Sequence, residues 1–323
     1  MRYYCNLLSR NKTKSEKNKM LKHIASRIIG SIVLFLLVLN TLFTAVILFP
    51  LAFIKFIIPV PCWRSVTGKA LTKVASNWVF VNSYFIHLFY PIEWRITGIE
   101  NLEKNDWYLV ISNHQSWIDI VVLQKVLYGK IPFIKFFLKK ELIWVPVIGL
   151  AWWALDFPFM KRFTKEEIEK NPRLKGKDIE ITRKACEKFK TDYVAVMTFP
   201  EGTRFTKEKH DKQNSPYKHL LKPKAGGLSF TISAMGDRFN GLLNITIIYP
   251  DGVRSIWEFL CGKVRRIDVI VETLPIPEKF AKADINDEVF KSEFNDWLNG
   301  IWLKKDGLID SNRESDWITV NPV

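Results

Sequence analysis

The sequence predicts an α/β protein: a mostly parallel sheet flanked by helices, preceded by an N-terminal membrane-embedded helical hairpin. Three observations predict it. From residue 93 onward, short β-branched apolar runs alternate with segments of helical period, as in a sheet whose strands are joined by crossover helices. Residues 28–49 carry no charge, and their only polar side chains are Ser31, Asn40, Thr41 and Thr44. That run is long enough to cross a bilayer. After Pro50 a second apolar piece runs to Pro61, and both flanks of 28–61 are basic, so a returning helix keeps both flanks on the cytosolic side.

Composition narrows the function classes. The formal net charge of +15 fits nucleic acid, anionic lipid or an acidic protein as partner. Aromatic residues reach 14%, a share that suits contact with lipid. Cys5, Cys62, Cys186 and Cys261 show no metal-binding or redox spacing. Neither H-E-x-x-H nor a Cys/His cluster occurs, so no metal site is expected.

In chain order, residues 1–27 form a basic tail, with Glu16 its single acid, next to the hairpin at 28–61. Residues 62–91 read as an amphipathic, interfacial helix. Val66, Ala70, Leu71, Val74 and Trp78 share one face, and Pro91 ends it. Strands are expected at 93–97, 107–112, 133–138, 157–160, 193–199, 243–249 and 264–272. Helices are expected at 117–128, 142–154, 178–190, 225–235 and 285–303. Residues 163–177 and 205–224 read as exposed loops, the second a mobile flap. The catalytic domain is set at 92–305 and a C-terminal tail at 306–323.

Two strand ends carry the chemistry. The first is Asn113-His114-Gln115-Ser116-Trp117-Ile118-Asp119, between the apolar runs 108–111 and 120–123. His114 and Asp119 share a strand-to-helix connection, where the carboxylate can take the Nδ1 proton and leave Nε2 as a general base. This is two-thirds of a catalytic triad, without a protein nucleophile, suited to a substrate hydroxyl. Ser116 reads as a helix cap rather than a nucleophile. The second is Phe199-Pro200-Glu201-Gly202-Thr203-Arg204, which follows the run 194–198. Turn chemistry accounts for Pro200 and Gly202 but not for Glu201 and Arg204. Lys139, Arg162 and Arg204 follow three separate strands, and ends on one edge of a parallel sheet converge into a phosphate cradle. His23, His87, His210 and His219 have no carboxylate at comparable spacing.

Together these stretches resemble the PlsC-like lysophosphatidic acid acyltransferase family. Asn113, His114, Ser116 and Asp119 match N-H-x-S-x-x-D, and Phe199 to Arg204 match F-P-E-G-T-R in full. Lys139 to Gly149 resembles the K-x-E-L-x-x-x-P-x-x-G segment. Phe157 to Arg162 resembles the second motif, although the Gly that often opens it is replaced, with Asp156 nearby. The run 153–162 is similar to the YihG-type branch of bacterial inner-membrane members. The resemblance implies the glycerolipid acyltransferase fold, with His114 and Asp119 catalytic. It implies acceptor and phosphate binding by Lys139, Arg162, Glu201, Gly202, Thr203 and Arg204. Glu201 either holds Arg204 or binds the glycerol part.

The implied reaction moves a fatty acyl chain from acyl-CoA or acyl carrier protein to 1-acyl-glycerol-3-phosphate, giving phosphatidic acid. The thioester is a co-substrate, and no cofactor is implied. Partners are the lysophospholipid, membrane lipids and acyl carrier protein. The location implied is the bacterial inner membrane, with the catalytic domain facing the cytosol. A second reading keeps the dyad but changes the acceptor to another lysophospholipid. A third, a membrane-tethered polynucleotide-binding protein, uses the net charge but lacks aromatics interleaved with the basic loops 161–177 and 205–224.

Overall fold

The apolar N-terminal run winds into one helix. In the computed structural model, which describes residues 2–160, 193–281, 283, 285 and 287–314, α1 spans Arg2–Ile57 and passes straight through Pro50. The reversal expected at Pro50 comes instead at residues 58–60. Pro59 biases Ile58 away from helical geometry, and Pro61 occupies the first turn of α2 (Pro61–Phe89), where its missing N–H costs nothing. The hairpin is therefore α1 with α2, and the interfacial helix expected at 62–91 is its returning arm. A lone interior proline removes one hydrogen bond, at about 3 kcal/mol. Here the apolar helix around it packs on a partner, whereas two prolines spaced by one residue end the helix.

The few polar residues of the apolar run clasp the hairpin. Asn40 Nδ2 donates to Asn82 Oδ1 at 2.8 Å and to the Trp78 carbonyl at 3.2 Å, and Trp78 Nε1 donates to Thr41 Oγ1 at 3.1 Å. The segment Met20–Ile57 is long and apolar enough to cross a membrane. It nevertheless touches the α/β domain at two distant points. Val33 is fully buried, and a Cβ on Gly30 would lie 2.8 Å from the Leu260 carbonyl. Near its other end Lys55 donates to the Ala154 carbonyl and pairs with the Asp156 carboxylate. Between Gly30 and Lys55 lie about 37 Å of helix at about 1.5 Å per residue. The helix thus lies along the domain, with Phe35, Phe43 and Val46 exposed on its outer side.

The domain alternates strands and helices as the sequence predicts. In order they are β1 (Glu93–Thr97), β2 (Tyr108–Ser112), α3 (Ile118–Leu127), β3 (Ile134–Phe136), β4 (Leu138–Lys139), a 3₁₀ turn (Lys140–Trp144), α4 (Ile148–Ala154), β5 (Phe159–Met160), β6 (Ala195–Thr198), α5 (Lys207–Gln213), α6 (Ala225–Met235), β7 (Gly241–Ile248), α7 (Ile256–Leu260), β8 (Arg266–Leu274), α8 (Glu278–Ala281) and α9 (Glu288–Glu314). The main sheet runs β1-β8-β7-β2-β6-β3 and is parallel except at β7–β8. β4 and β5 form a separate parallel pair.

Three expectations are corrected. The helix expected at 142–154 is split: Pro146 cannot continue it, and Val147 takes φ 63°. The tail set at 306 begins as helix, because α9 continues to Glu314. The flap expected at 205–224 contains α5 and is pinned to α9, where the N–H groups of Lys218 and His219 donate to the Asp306 carboxylate. The helix expected at 178–190 and the loop at 163–177 lie outside the described residues.

Period-2 alternation divides the core. Val110, Leu243, Ile245 and Ile247 face α3 and the hairpin side. Leu109, Ile111, Leu242 and Ile248 face α6 and α9. The strands, buried on both faces, leave their C-terminal ends as the place for polar chemistry.

Candidate active site

β2 ends in a Ser112-Asn113 corner that the adjacent strand holds in register. Asn113 Nδ2 donates to the Ile247 carbonyl, and Asn113 Oδ1 accepts from Ile247 N–H, both at 2.9 Å. His114 follows at the mouth of the sheet. Its Nδ1 lies 2.9 Å from Asp119 Oδ2, in the first turn of α3. The spacing read from the sequence is thus a formed pair. Asp119 is fully buried and saturated. Oδ2 also accepts from the N–H groups of Gln115 at 2.6 Å and Ser116 at 2.8 Å, and Oδ1 accepts from the Tyr249 hydroxyl at 2.6 Å. Donors of that number stabilise the charged carboxylate.

Sequence reasoning missed Tyr249. It stands beyond the end of β7 with no spacing to mark it, and only the sheet order β7-β2 brings it to Asp119. Burial first, and the Asp119 charge second, push its phenol well above the usual range, so it is a donor throughout the working pH range. Ser116 Oγ donates to the Arg254 carbonyl at 2.8 Å and accepts from Ile118 N–H at 3.3 Å. It ties down the turn that enters α3, whose N-cap residue is Trp117 rather than the Ser116 expected from the sequence.

The second motif closes on the first. The Phe199 ring stacks on the His114 imidazole, with centroids 3.9 Å apart and planes at 13°. Phe205 N–H donates to the His114 carbonyl at 2.7 Å, and Glu201 Oε1 accepts from His114 N–H at 3.0 Å. Glu201 Oε2 accepts from Leu221 N–H at 3.1 Å. Glu201 is fully buried with both oxygens engaged by backbone. Neither oxygen is paired with Arg204, which corrects the first role expected for it, and the carboxylate braces the backbone that carries His114. Burial raises its carboxyl to about 8, opposed by those two N–H groups and by the Lys305 charge.

Gly202 turns the chain at φ +70°, a conformation that disfavours any side chain, and the Lys224 stem passes 3.6 Å from where a Cβ would stand. Thr203 Oγ1 accepts from Lys209 Nζ at 2.8 Å. Arg204 stacks its guanidinium on Trp117, 4.6 Å from the ring centroid, which puts it beside the turn that carries the dyad. Lys139 is exposed at the end of β4 and so belongs to the small β4–β5 pair, not to the main sheet edge on which three cations were expected to meet. Arg162 lies outside the described residues. The structure thus brings together His114, Asp119, Glu201, Gly202 and Arg204. His219 and His210 pair with Asp310 and Asp211, structural contacts remote in sequence from the dyad. Among the described residues no cluster of His, Cys, Asp or Glu is arranged for a metal ion.

Residues 93–253 match the family model described as Acyltransferase. Both motif stretches lie inside that segment, and α1, α2 and α9 lie outside. The chain is 28% identical over 204 residues to 1-acyl-sn-glycerol-3-phosphate acyltransferase alpha of Bos taurus, covering 62% of this chain and 59% of that one. It is 26% identical over 211 residues to the gamma form of Mus musculus, covering 62% and 52%. It is 25% identical over 260 residues to a 2-acyl-1-lysophosphatidylinositol acyltransferase of Saccharomyces cerevisiae, covering 66% and 62%. The chain therefore spans between about half and three fifths of the length of these relatives. A solved structure, the PlsC 1-acyl-sn-glycerophosphate acyltransferase from Thermotoga maritima, aligns over 87% of this chain and 96% of its own at 18% identity and a TM-score of 0.47.

Proposed function

We propose that this acyltransferase moves a fatty acyl chain from acyl-CoA or acyl carrier protein to the free hydroxyl of 1-acyl-glycerol-3-phosphate, giving phosphatidic acid. The observation that carries this reading is the His114–Asp119 pair, formed at 2.9 Å, with no Ser, Thr or Cys side chain hydrogen-bonded to Nε2 among the described residues. The acceptor hydroxyl gives its proton to Nε2 while its oxygen attacks the thioester carbonyl. Asp119 stays ionised and steadies the imidazolium. The tetrahedral intermediate then expels the thiolate, which takes the proton back from Nε2. Phe199 shields one face of the imidazole, and Glu201 fixes its backbone, so the base is positioned before substrate arrives. Arg204, held on Trp117, is assigned to the acceptor phosphate, with Gly202 and Thr203 shaping its turn and Lys139 and Arg162 as further cations.

A second reading, another lysophospholipid as acceptor, is favoured by two observations. A relative named for lysophosphatidylinositol matches at 25% identity, and Arg204 is solvent-exposed rather than enclosed, leaving room for a headgroup substituent. Purified protein given labelled acyl-CoA with a panel of lysophospholipids, read by thin-layer chromatography, decides between them. Labelled phosphatidic acid as the main product supports the first reading, and a larger diester product supports the second. No acylated product with any acceptor or donor rejects both.

The exposed apolar faces of α1 and α4, with Trp153 45% exposed on α4 and Trp144 85% exposed in the 3₁₀ turn before it, support a lipid surface as the place of work. The placement proposed is the bacterial inner membrane, after the motif resemblance, with the catalytic domain in the cytosol on the strength of the basic residues in the first part of α1, up to Arg27.

A further inference from the structure

Among the described residues, three cations gather on the turn that follows β6, and none of them is ion-paired. Arg204 stacks on Trp117. Lys209 reaches back from α5, where its Nζ donates to Thr203 Oγ1 at 2.8 Å and to the Arg204 carbonyl at 3.1 Å. Lys224 arrives from the far end of segment 205–224 and lies along Gly202. Its Cδ is 3.6 Å and its Nζ 3.7 Å from where a Cβ on Gly202 would stand. The carboxylate of the same turn, Glu201, is fully buried and has both oxygens on backbone N–H groups. Lys224 falls inside the matched family segment but outside the motif stretches read from the sequence.

Backbone contacts fix Lys224 in this place. Leu221 N–H donates to Glu201 Oε2 at 3.1 Å, and Lys224 N–H donates to the Pro200 carbonyl at 2.8 Å. The segment entering α6 is therefore laced onto the turn at two points. The turn is bound to His114 in the same way, through Glu201 Oε1 and Phe205 N–H. Lys224, Gly202 and the dyad thus belong to one hydrogen-bonded assembly. The Lys209 ammonium already has two oxygens and fastens the turn. The Lys224 side chain is exposed, and its ammonium has no hydrogen-bond or ion-pair partner among the described residues. A surface lysine is ordinarily just solvated. This one is held beside Arg204, and like charges held together repel until an anion binds between them.

We propose that Lys224 is a specificity-determining residue for acyl transfer: its ammonium, together with the Arg204 guanidinium, takes a phosphate group of a substrate, while Lys209 keeps the turn in shape. The inference rests on the acyl-transfer reading. A phosphate can accept a fork of two bonds from an arginine and a further charged bond from a lysine. No bond is made or broken at Lys224; it binds and aligns. Both the lysophospholipid acceptor and acyl-CoA carry phosphate, and the test separates them.

The test uses the full chain in detergent, with Lys224→Ala, Lys224→Arg and, as a control, Lys222→Ala at the exposed neighbouring lysine. KM and kcat are measured for 1-acyl-glycerol-3-phosphate at saturating acyl-CoA, and for acyl-CoA at saturating acceptor. Lys224→Ala should raise one of the two KM values about tenfold, with kcat little changed. Lys224→Arg should recover most of that loss, and Lys222→Ala should move neither KM. A rise in the acceptor KM assigns the lysine to the acceptor phosphate, and a rise in the acyl-CoA KM assigns it to the donor. Unchanged KM values in a folded Lys224→Ala protein overturn the proposal. So does a fall in kcat alone, which marks a structural lysine, and so does an equal KM rise in Lys222→Ala, which marks diffuse surface charge. If Lys224→Ala does not fold, Lys224→Gln is read by the same criteria. A wild type that transfers no acyl chain rejects the acyl-transfer reading by itself. Calorimetric binding of CoA and of glycerol 3-phosphate then tests Lys224 without turnover. Weaker binding by Lys224→Ala supports the assignment, and equal binding, or none by either protein, overturns it.

Discussion

At the scale of single residues, the site's two buried carboxylates, Asp119 and Glu201, are each held by several donors. Asp119 has four donors, so Asp119→Asn loses charge while the scaffold persists. We expect turnover to fall by about a hundredfold or more, the upper range for losing an oriented base. Tyr249→Phe deletes a single donor, and the expected loss is smaller, about tenfold, read as kcat with an unchanged melting curve. Gly202→Ala places a Cβ at φ +70° and should destabilise by about 1–2 kcal/mol, measured by urea denaturation. Arg204→Ala should chiefly raise the acceptor KM, by about tenfold, with Arg204→Lys rescuing part. An effect on donor KM alone reassigns the cation to the thioester's phosphates. The dyad was legible in the sequence because both partners lie in one short turn. Tyr249 was not, because strand order alone brings it near Asp119. Glu201 was visible but misread, since a motif shows which residues recur together and not which way a carboxylate points.

At the scale of elements, periodicity found the strands of the sheet but not where the hairpin turns. Pro50 looks like a break, yet an isolated proline in an apolar helix is outweighed by packing, and Pro59 with Pro61 is the true stop. Pro146 had the opposite fate: a short, amphipathic stretch with Trp144 in solvent had no packing to hold a helix through it. The hairpin arms are held by the Asn40–Asn82 contact, which Asn40→Leu removes. In lipid such contacts contribute about 0.6 kcal/mol on average, so the variant should lower the hairpin's protection from proteolysis in vesicles without abolishing membrane binding. The acid brace makes its own prediction. Glu201 is raised to about 8 against an ordinary 4.5, so the folded state holds more protons than the unfolded between those values. Stability from this group is therefore full below about pH 4.5 and is lost as pH rises through about 8. The difference in melting temperature between wild type and Glu201→Gln should shrink from pH 5 to pH 7.

At the scale of the molecule, α1 meets the domain near Gly30 and again near Lys55, about 37 Å apart along a helix. The hydrocarbon layer is about 30 Å thick, so a helix bound to one domain at both points is expected to lie along a membrane surface rather than to cross it. Reporters fused at residue 20 and residue 310 should therefore both report the cytosol, and opposite sides would refute this arrangement. Everything in that architecture serves one claim, that the His114 imidazole takes the acceptor's proton at a lipid surface. The most direct test is acyl transfer from labelled acyl-CoA to 1-acyl-glycerol-3-phosphate by His114→Ala, compared with wild type at equal amounts of folded protein. The account predicts labelled phosphatidic acid from the wild type and none above background from the variant. Turnover by folded His114→Ala near the wild-type rate would contradict it.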